Sequence, residues 1–472
     1  MESMFSGLTE RPLYRPEPDL RVLEHGDRRI VINPDIGGWA VVSARELIEL
    51  LNPTGTLSKA FGEVAYRHGL ARKNGHSVFD ASAQDTRLFF FEFVVSDTCN
   101  LACTYCCAAT EPARKIPPPD LSMGTLWVDR ILEYSLANAV SQLELEFTGG
   151  EPLASVQFLE HTLAYAQSRF EAHGIGASYS LVTNLTLLGQ HQLDLLHRFP
   201  IQLNLSIDGT EEDHDTQRPF AAGRGSYRAV MKNLARLRQS GIHPHGVQST
   251  ITVRTVAKLP EIARHLLDLG FTQLSLHRMN PGGVERGDPL ALVPDPRVYV
   301  EKLFEIFETE CIPFWRRTGT MPHVRFLGLA FAYLLESKRA YMCQRSPCGA
   351  GRTIVATKPN GDVYGCAIGP WTEAFRYGNL HRNTFEDCQR SAAAQSSARR
   401  LIRDIPGCRE CLFRGWCQGG CAKDAMAVHG TLMAPSPSCP FYRELWRRAL
   451  FALVDGEFPE EAVRAVARSY LV

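Results

Sequence analysis

Apolar and polar positions along this chain follow two rhythms, each interrupted by turn-forming residues. LRVLE (20–24), RRIVIN (28–33) and WAVVS (39–43) are short β-branched-rich runs broken by GD at 26–27 and PDIGG at 34–38, and each predicts a strand. ARELIELL (44–51) and LSKAFGEVAYRHGL (57–70) carry apolar residues at helical spacing, predicting two helices. Strands followed by two helices suit a small winged-helix-like α+β module over residues 1–85, with KNGHSVFDASAQD (73–85) as its linker.

From residue 87 the pattern repeats. Strand-like runs recur at 87–95, 143–147, 177–183, 201–207, 246–253 and 271–276. Segments with helical periodicity separate them, at 122–140, 153–172, 187–198, 226–240 and 256–269. This alternation argues for an α/β domain over 86–320 built from parallel βαβ units, open or closed as a partial barrel. Chemistry in such folds sits at the C-terminal ends of the strands. A helical stretch at 295–318 leads into a turn-rich region, 321–440, with PNGD (359–362) and RGWCQGGC (414–421). That region reads as held together by metal more than by an apolar core. The tail, 441–472, is again helical in pattern.

The length, 472 residues, exceeds one ordinary core,. Lys plus Arg equals Asp plus Glu at 51 each, so no basic surface advertises nucleic acid. The most apolar run, LFFFEFVV (88–95), is far shorter than the roughly 20 residues of a membrane span,. With no signal-like segment at the start, the expected compartment is cytoplasmic and no membrane partner is expected. The 14 cysteines must then be explained without stable disulfides,. They cluster at 99–107 and 343–439, which points to metal,.

SDTCNLACTYCCAAT (96–110) follows the first barrel strand and holds Cys99, Cys103 and Cys106 as C-x3-C-x2-C. Three thiolates can ligate three corners of a 4Fe–4S cluster and leave one iron open; the rival, structural zinc, wants a fourth protein ligand nearby. Cys107 adjoins Cys106, so its side chain points elsewhere. The motif, with Tyr105 before its last cysteine, resembles the signature of the radical S-adenosylmethionine (SAM) superfamily. FTGGEPL (147–153), TNLTLL (183–188), LSIDGTEEDHDTQR (205–218) and VQSTITV (247–253) resemble further motifs of that family, in its order. The resemblance implies a partial (β/α)6 TIM-like barrel in which the open iron chelates SAM and a 5′-deoxyadenosyl radical abstracts hydrogen from substrate. It implies SAM contacts from Tyr105, Gly149, Gly150, Glu151, Asn184, Ser206, Asp208 and Arg218. Leu185 stands where the family has a glycine, which puts a close backbone approach there in question.

The later cysteines run Cys343, Cys348, Cys366, then Cys408, Cys411, Cys417 and Cys421 as C-x2-C-x5-C-x3-C, then Cys439. Eight thiolates suffice for two fully ligated clusters, and C-x2-C with two more cysteines also suits a zinc knuckle. With Gly361 before Cys366, the array resembles the SPASM extension of the same superfamily. That resemblance implies an interleaved assignment: auxiliary cluster I on Cys343, Cys348, Cys366 and Cys421, cluster II on Cys408, Cys411, Cys417 and Cys439. The total is then three 4Fe–4S clusters plus SAM. Cys311 and Cys388 match no motif.

Proteins resembling this architecture mostly modify peptides. The expectation is a maturase that oxidatively crosslinks a ribosomally synthesised precursor peptide through carbon–carbon, ether or thioether bonds. It would bind the leader with the N-terminal module and draw electrons from a flavodoxin or ferredoxin. The first alternative is a sulfatase-type formylglycine maturase. Those resemble this chain at GDVYGC (361–366) but follow the cysteine with an aspartate base, where this chain has Ala367,. The other alternative is a non-enzymatic iron–sulfur electron carrier, which would have no need of a GGEP segment. His277, Arg278 and Asn280, after the sixth strand, fall on the substrate side or serve as loop residues.

Overall fold

A computed structural model of the chain describes residues 12–52, 54–78, 87–106, 111–112, 118–280, 289–336, 341–366 and 372–470. Cys107 and Ala367 lie outside the described residues, as does most of the expected linker. The N-terminal strands are β1 (Tyr14–Pro16), β2 (Arg21–His25), β3 (Arg28–Asn33) and β4 (Gly38–Val42), the last three forming an antiparallel meander. Helix α1 (Ala44–Leu50) begins at a reciprocal cap between Ser43 and Glu46,. Helix α2 (Lys59–Arg67) is capped by Ser58, and β5 (Ala71–Lys73) returns to pair with β1. Side chains alternate across a strand, and in β3 the two faces serve two cores. Val31 packs with Tyr14, Leu50 and Ala65 inside the module, whereas Ile30 and Ile32 belong to the main core. The module is thereby fused to the body.

The barrel begins with β6 (Phe90–Val94), followed by β7 (Thr98–Cys99) and β8 (Glu111–Pro112), which pair beside it. Then come α3 (Leu121–Ala137), β9 (Gln142–Thr148), α4 (Val156–Glu171), β10 (Gly176–Thr183), α5 (Gln190–Arg198) and β11 (Ile201–Ser206). After α6 (Glu211–Gln217) and α7 (Tyr227–Gln239) follow β12 (Gly246–Ile251), α8 (Leu259–Asp268) and β13 (Gln273–Arg278). The six expected strands pair in parallel, with Phe93 beside Phe147 and Phe147 beside Leu181. The fold is a partial (β/α)6 barrel. Its wall is lined outside by Trp127, Phe158 and Leu163, none measurably exposed.

The stretch expected to be helical at 295–318 is helical over Pro296–Thr318, with an irregular middle. A π-helical turn over Phe307–Cys311 separates α9 (Pro296–Ile306) from α10 (Ile312–Thr318). Pro313 has no N–H to bond to the preceding turn and its ring crowds the carbonyl four residues back, which a widened turn relieves.

The region 321–440, expected to be held together by metal more than by an apolar core, shares the apolar core of the barrel. After β14 (His323–Val324) and the apolar helix α11 (Arg325–Leu335), strand β15 (Ile354–Thr357) pairs in parallel with β6. Strands β16 (Asp362–Tyr364) and β17 (Arg376–Asn379) extend this edge, giving one ten-stranded sheet in the order β14-β13-β12-β11-β10-β9-β6-β15-β16-β17. Val355, Val363, Phe385 and Trp416 lie in the same core as the barrel. The short helices α12 (Phe385–Arg390), α13 (Ala392–Ala398), α14 (Arg414–Cys417) and α15 (Ala422–His429) carry the cysteine loops. Helix α16 (Cys439–Asp455) packs on α9, and α17 (Glu460–Ala467) on α11.

Candidate active site

The C-x3-C-x2-C loop leaves the C-terminal end of β6 and is strapped to the segment after α6. Thr104 N–H donates to Gln217 O, Ala102 N–H to Pro219 O, and Ala221 N–H to Asn100 O. Cys99 and Cys103 are each 7% exposed. Burial first, then Glu151, push the Cys99 thiol up to about 12, and Cys103 and Cys106 lie close enough to add to that. Burial raises Cys103 to about 11, and the Arg218 guanidinium works against that rise. Three thiolates this close repel one another and need a cationic partner, and a cluster's irons fit that need.

At the end of β9 the glycines let the chain fold over this loop. Gly149 has φ +122°, a region that favours glycine,, and Gly150 N–H donates to Ser96 O at 2.7 Å. A Cβ on Gly150 would lie 1.6 Å from Thr98 O, so no other residue fits. Glu151, 1% exposed, accepts from Leu153 N–H (3.0 Å), Thr183 Oγ1 (2.6 Å) and Asn184 N–H (2.7 Å). Its carboxylate therefore staples the ends of β9 and β10 together, and burial raises its pKa. Asn184 Nδ2 donates to Asn100 Oδ1 at 3.0 Å and lies 3.6 Å from Cys99 Sγ. Leu185 has a positive φ, +56°, a region that favours glycine, with its side chain fully buried,.

Tyr105 turns inward. Its hydroxyl donates to Asp208 Oδ2 and receives Arg218 Nη1, both at 2.5 Å. Asp208 is fully buried and also accepts from Thr250 N–H (3.0 Å) and Gln217 Nε2 (3.1 Å). Sequence reasoning passed over Gln217, whose Oε1 receives Thr252 Oγ1 at 2.6 Å. The all-polar EEDHDTQ run of α6 gave no sign in sequence that this amide is buried. The Arg218 Nε is buried with no hydrogen-bond partner, an orphan donor that suits an anionic group. Ser206, half-buried at the end of β11, makes no side-chain hydrogen bond to this network among the described residues.

The eight later thiols fall into two foursomes. Cys343 lies within electrostatic reach of Cys348 and Cys366, and Cys421 within reach of the same two. Cys408, Cys411 and Cys439 all act on Cys417, and these four line one cavity of about 620 Å³. Burial and the neighbouring thiols push Cys408 up to about 11 and hold Cys417 and Cys421 higher still. Among the described residues no three His, Cys, Asp or Glu side chains converge on a point the size of a single metal ion.

Between the barrel mouth and this region lie Arg278, Lys423 and Asp424, all nearly fully buried. Arg278 donates to Met279 O at 3.0 Å, and Asn280 Oδ1 receives Ser438 Oγ at 3.3 Å. His277 is driven down to about 3 by burial and Arg325. The pair Lys423–Asp424, two residues after Cys421, was missed because charges near a ligand read as solvated loop. Cys311 and Cys388 are buried in the main core.

Comparison with known proteins agrees with this layout. Residues 93–276 match the Radical SAM superfamily and residues 348–412 match the iron–sulfur cluster-binding domain named SPASM. The serine-type anaerobic sulfatase-maturating enzyme of Klebsiella aerogenes is 25% identical over 75% of this chain and 88% of its own length. Among solved structures, anSMEcpe with bound AdoMet aligns with a TM-score of 0.66 at 20% identity, over 78% of this chain and 98% of that one. Streptococcus suis SuiB bound to precursor peptide SuiA aligns at 0.53 and 14% identity, over 90% of this chain and 99% of that one. The protein is a radical SAM enzyme. Within that superfamily the chain belongs to the branch carrying the SPASM extension, and its cofactors are SAM and iron–sulfur clusters. Among the described residues no helix is long and apolar enough to cross a membrane.

Proposed function

We propose that this enzyme is a maturase that oxidatively crosslinks a ribosomally synthesised precursor peptide. The observation that carries the reading is the pair of four-thiol sites beside the barrel mouth, in addition to the three-thiol loop. In this reading Cys99, Cys103 and Cys106 hold the SAM-binding cluster, and the two interleaved foursomes hold auxiliary clusters I and II. When bound, SAM and its cluster supply the radical that abstracts hydrogen, and the auxiliary clusters accept the second electron of a two-electron oxidation. The chain's own residues bind and orient. Gly149 and Gly150 bring backbone against the cluster loop, Glu151 and Asn184 fix the β10 end, and Arg218, held by Tyr105 and Asp208, offers its free Nε to the SAM carboxylate.

The N-terminal module is the leader-binding element in this proposal. Its three-stranded sheet, in the order β2-β3-β4, has β2 as an edge strand, and a leader binds such an edge by adding a strand to it. Ala367 in place of an aspartate speaks against formylglycine formation,. The physiological electron donor is a flavodoxin or ferredoxin, and the enzyme works in the cytoplasm.

The test is anaerobic reconstitution, reduction with dithionite, and addition of SAM with the small peptide encoded beside the enzyme. The expected outcome is 5′-deoxyadenosine together with a peptide lighter by two hydrogens. A second reading, sulfatase-type maturation, is favoured by the 25% identity to the Klebsiella aerogenes enzyme. An aldehyde trapped on a sulfatase peptide would establish it and overturn crosslinking.

A further inference from the structure

Arg400 lies two residues beyond α13 and is 3% exposed. Its guanidinium is spent on backbone carbonyls: Nε donates to Leu432 O (2.6 Å), Nη1 to Gly420 O (3.3 Å), and Nη2 to Gly419 O (3.0 Å) and Ala434 O (3.1 Å). Among the described residues no carboxylate pairs with it. Its ionisable neighbours are instead cysteines, Cys348 and Cys421 from one foursome and Cys408 and Cys417 from the other.

The turn between Cys417 and Cys421 is shaped to receive it. Gly419 and Gly420 have φ +83° and +64°, a region that favours glycine. A Cβ on Gly419 would lie 3.2 Å from Arg400 Nη1, and one on Gly420 would lie 2.6 Å from Ser436 Cβ and 3.4 Å from the Tyr442 ring. The bare backbone thus curls its carbonyls onto the guanidinium and holds it in the wall between the two thiol sets. Tyr442 stands at the same wall, within electrostatic reach of Cys417, Cys343 and Cys421.

A buried cation needs a counter-charge, and hydrogen bonds to neutral carbonyls do not supply one. We propose that Arg400 is a counter-ion shared by both auxiliary clusters, a positioning residue that makes each of them easier to reduce. This rests on the reading that the eight thiols hold two 4Fe–4S clusters. A cluster with four thiolates would go from a net charge of minus two to minus three on accepting the one electron that the peptide radical loses after hydrogen abstraction. A fixed cation favours the more negative state, and because arginine keeps its proton the step carries an electron alone. A structural role for Arg400 in the loop would leave the potentials unmoved.

The experiment is an EPR-monitored redox titration of the reconstituted full chain, in a background where Cys99, Cys103 and Cys106 are alanine so that only auxiliary signals remain. Arg400→Gln is expected to lower both midpoints, by about 59 mV for a tenfold fall in the reduced-to-oxidised ratio of a one-electron couple. Arg400→Lys, which keeps the charge, is expected to leave both close to those of the unsubstituted residue. Unchanged midpoints in a fully loaded R400Q protein, or a shift in only one cluster, overturn the proposal. If R400Q binds less iron, R400K decides: unshifted midpoints support the charge, and a fall in either overturns it. Iron and sulfide below two clusters in the background protein itself would instead sink the underlying cluster assignment, a distinguishable failure.

Discussion

Leu185 occupies a backbone conformation, φ +56°, that costs a non-glycine residue roughly 1–2 kcal/mol,. Its side chain is fully buried in the main core, and losing a buried leucine costs about 2–5 kcal/mol. Packing outweighs strain, so Leu185→Gly is expected to lower the urea midpoint; a raised midpoint would show the opposite balance. His214 is the second residue whose state is settled by its surroundings. Its Nδ1 accepts Asp208 N–H at 3.3 Å, so Nε2 carries the proton and donates to Ser226 Oγ (2.9 Å), which in turn donates to Arg218 O (2.6 Å). Burial and the nearby Arg218 drive its pKa down to about 3. Because the unfolded value is about 6.5, the unfolded chain binds the extra proton between pH 6.5 and 3, and stability falls as pH drops through that window. His214→Asn should flatten the stability-versus-pH slope between pH 6.5 and 5 by up to about 1.4 kcal/mol per pH unit. Equal slopes would mean the imidazole titrates as if exposed.

At the scale of elements, α14 joins the N-terminal module to the cysteine-rich region. Arg414, 6% exposed, donates to Asp19 (2.5 Å) and Asp35 (2.9 Å), and Trp416 Nε1 donates to Gly37 O at 2.8 Å. A Cβ on Gly415 would lie 2.4 Å from Gly37 N, so the two backbones touch. On the other side Trp39 Nε1 donates to Leu334 O at 2.7 Å. A module anchored this way is held in one fixed position against the cysteine-rich region and α11. Asp19 keeps about a third of its side chain in water, which screens the pair. A double-mutant cycle between Arg414→Met and Asp19→Asn, read by denaturant unfolding, should give a coupling near 1 kcal/mol. No coupling would show that the Arg414–Asp19 pair adds nothing to the module's anchorage.

For the whole molecule, the decisive feature is the continuity of the sheet. β15 adds to β6 in register, Val355 beside Phe91 and Thr357 beside Phe93, so the cysteine-rich region completes the barrel instead of following it. A chain ending at residue 320 would leave the β6 edge unpaired and Phe91 without Phe385 against it. Such an edge invites aggregation, and the truncated chain is expected in the insoluble fraction. A soluble, monomeric product on size exclusion would show that 86–320 folds alone.

Local spacing along the chain determined the parts whose chemistry is local: the C-x3-C-x2-C loop, the glycines before Glu151, the six barrel strands and the thiol arrays. Each depends on residues a few positions apart, where periodicity and spacing act directly. Tertiary structure alone decided what depends on distant neighbours. IVAT (354–357) is too short to declare itself a sheet strand, and the polar α6 hides a helix whose Asp213, His214 and Gln217 are buried. Arg400 reads in sequence as one more surface arginine. Only folding brings carbonyls from 419–420 and 432–434 around it and sets it between two groups of thiols, because burial and charge pairing are properties of the assembled interior and not of any segment taken by itself.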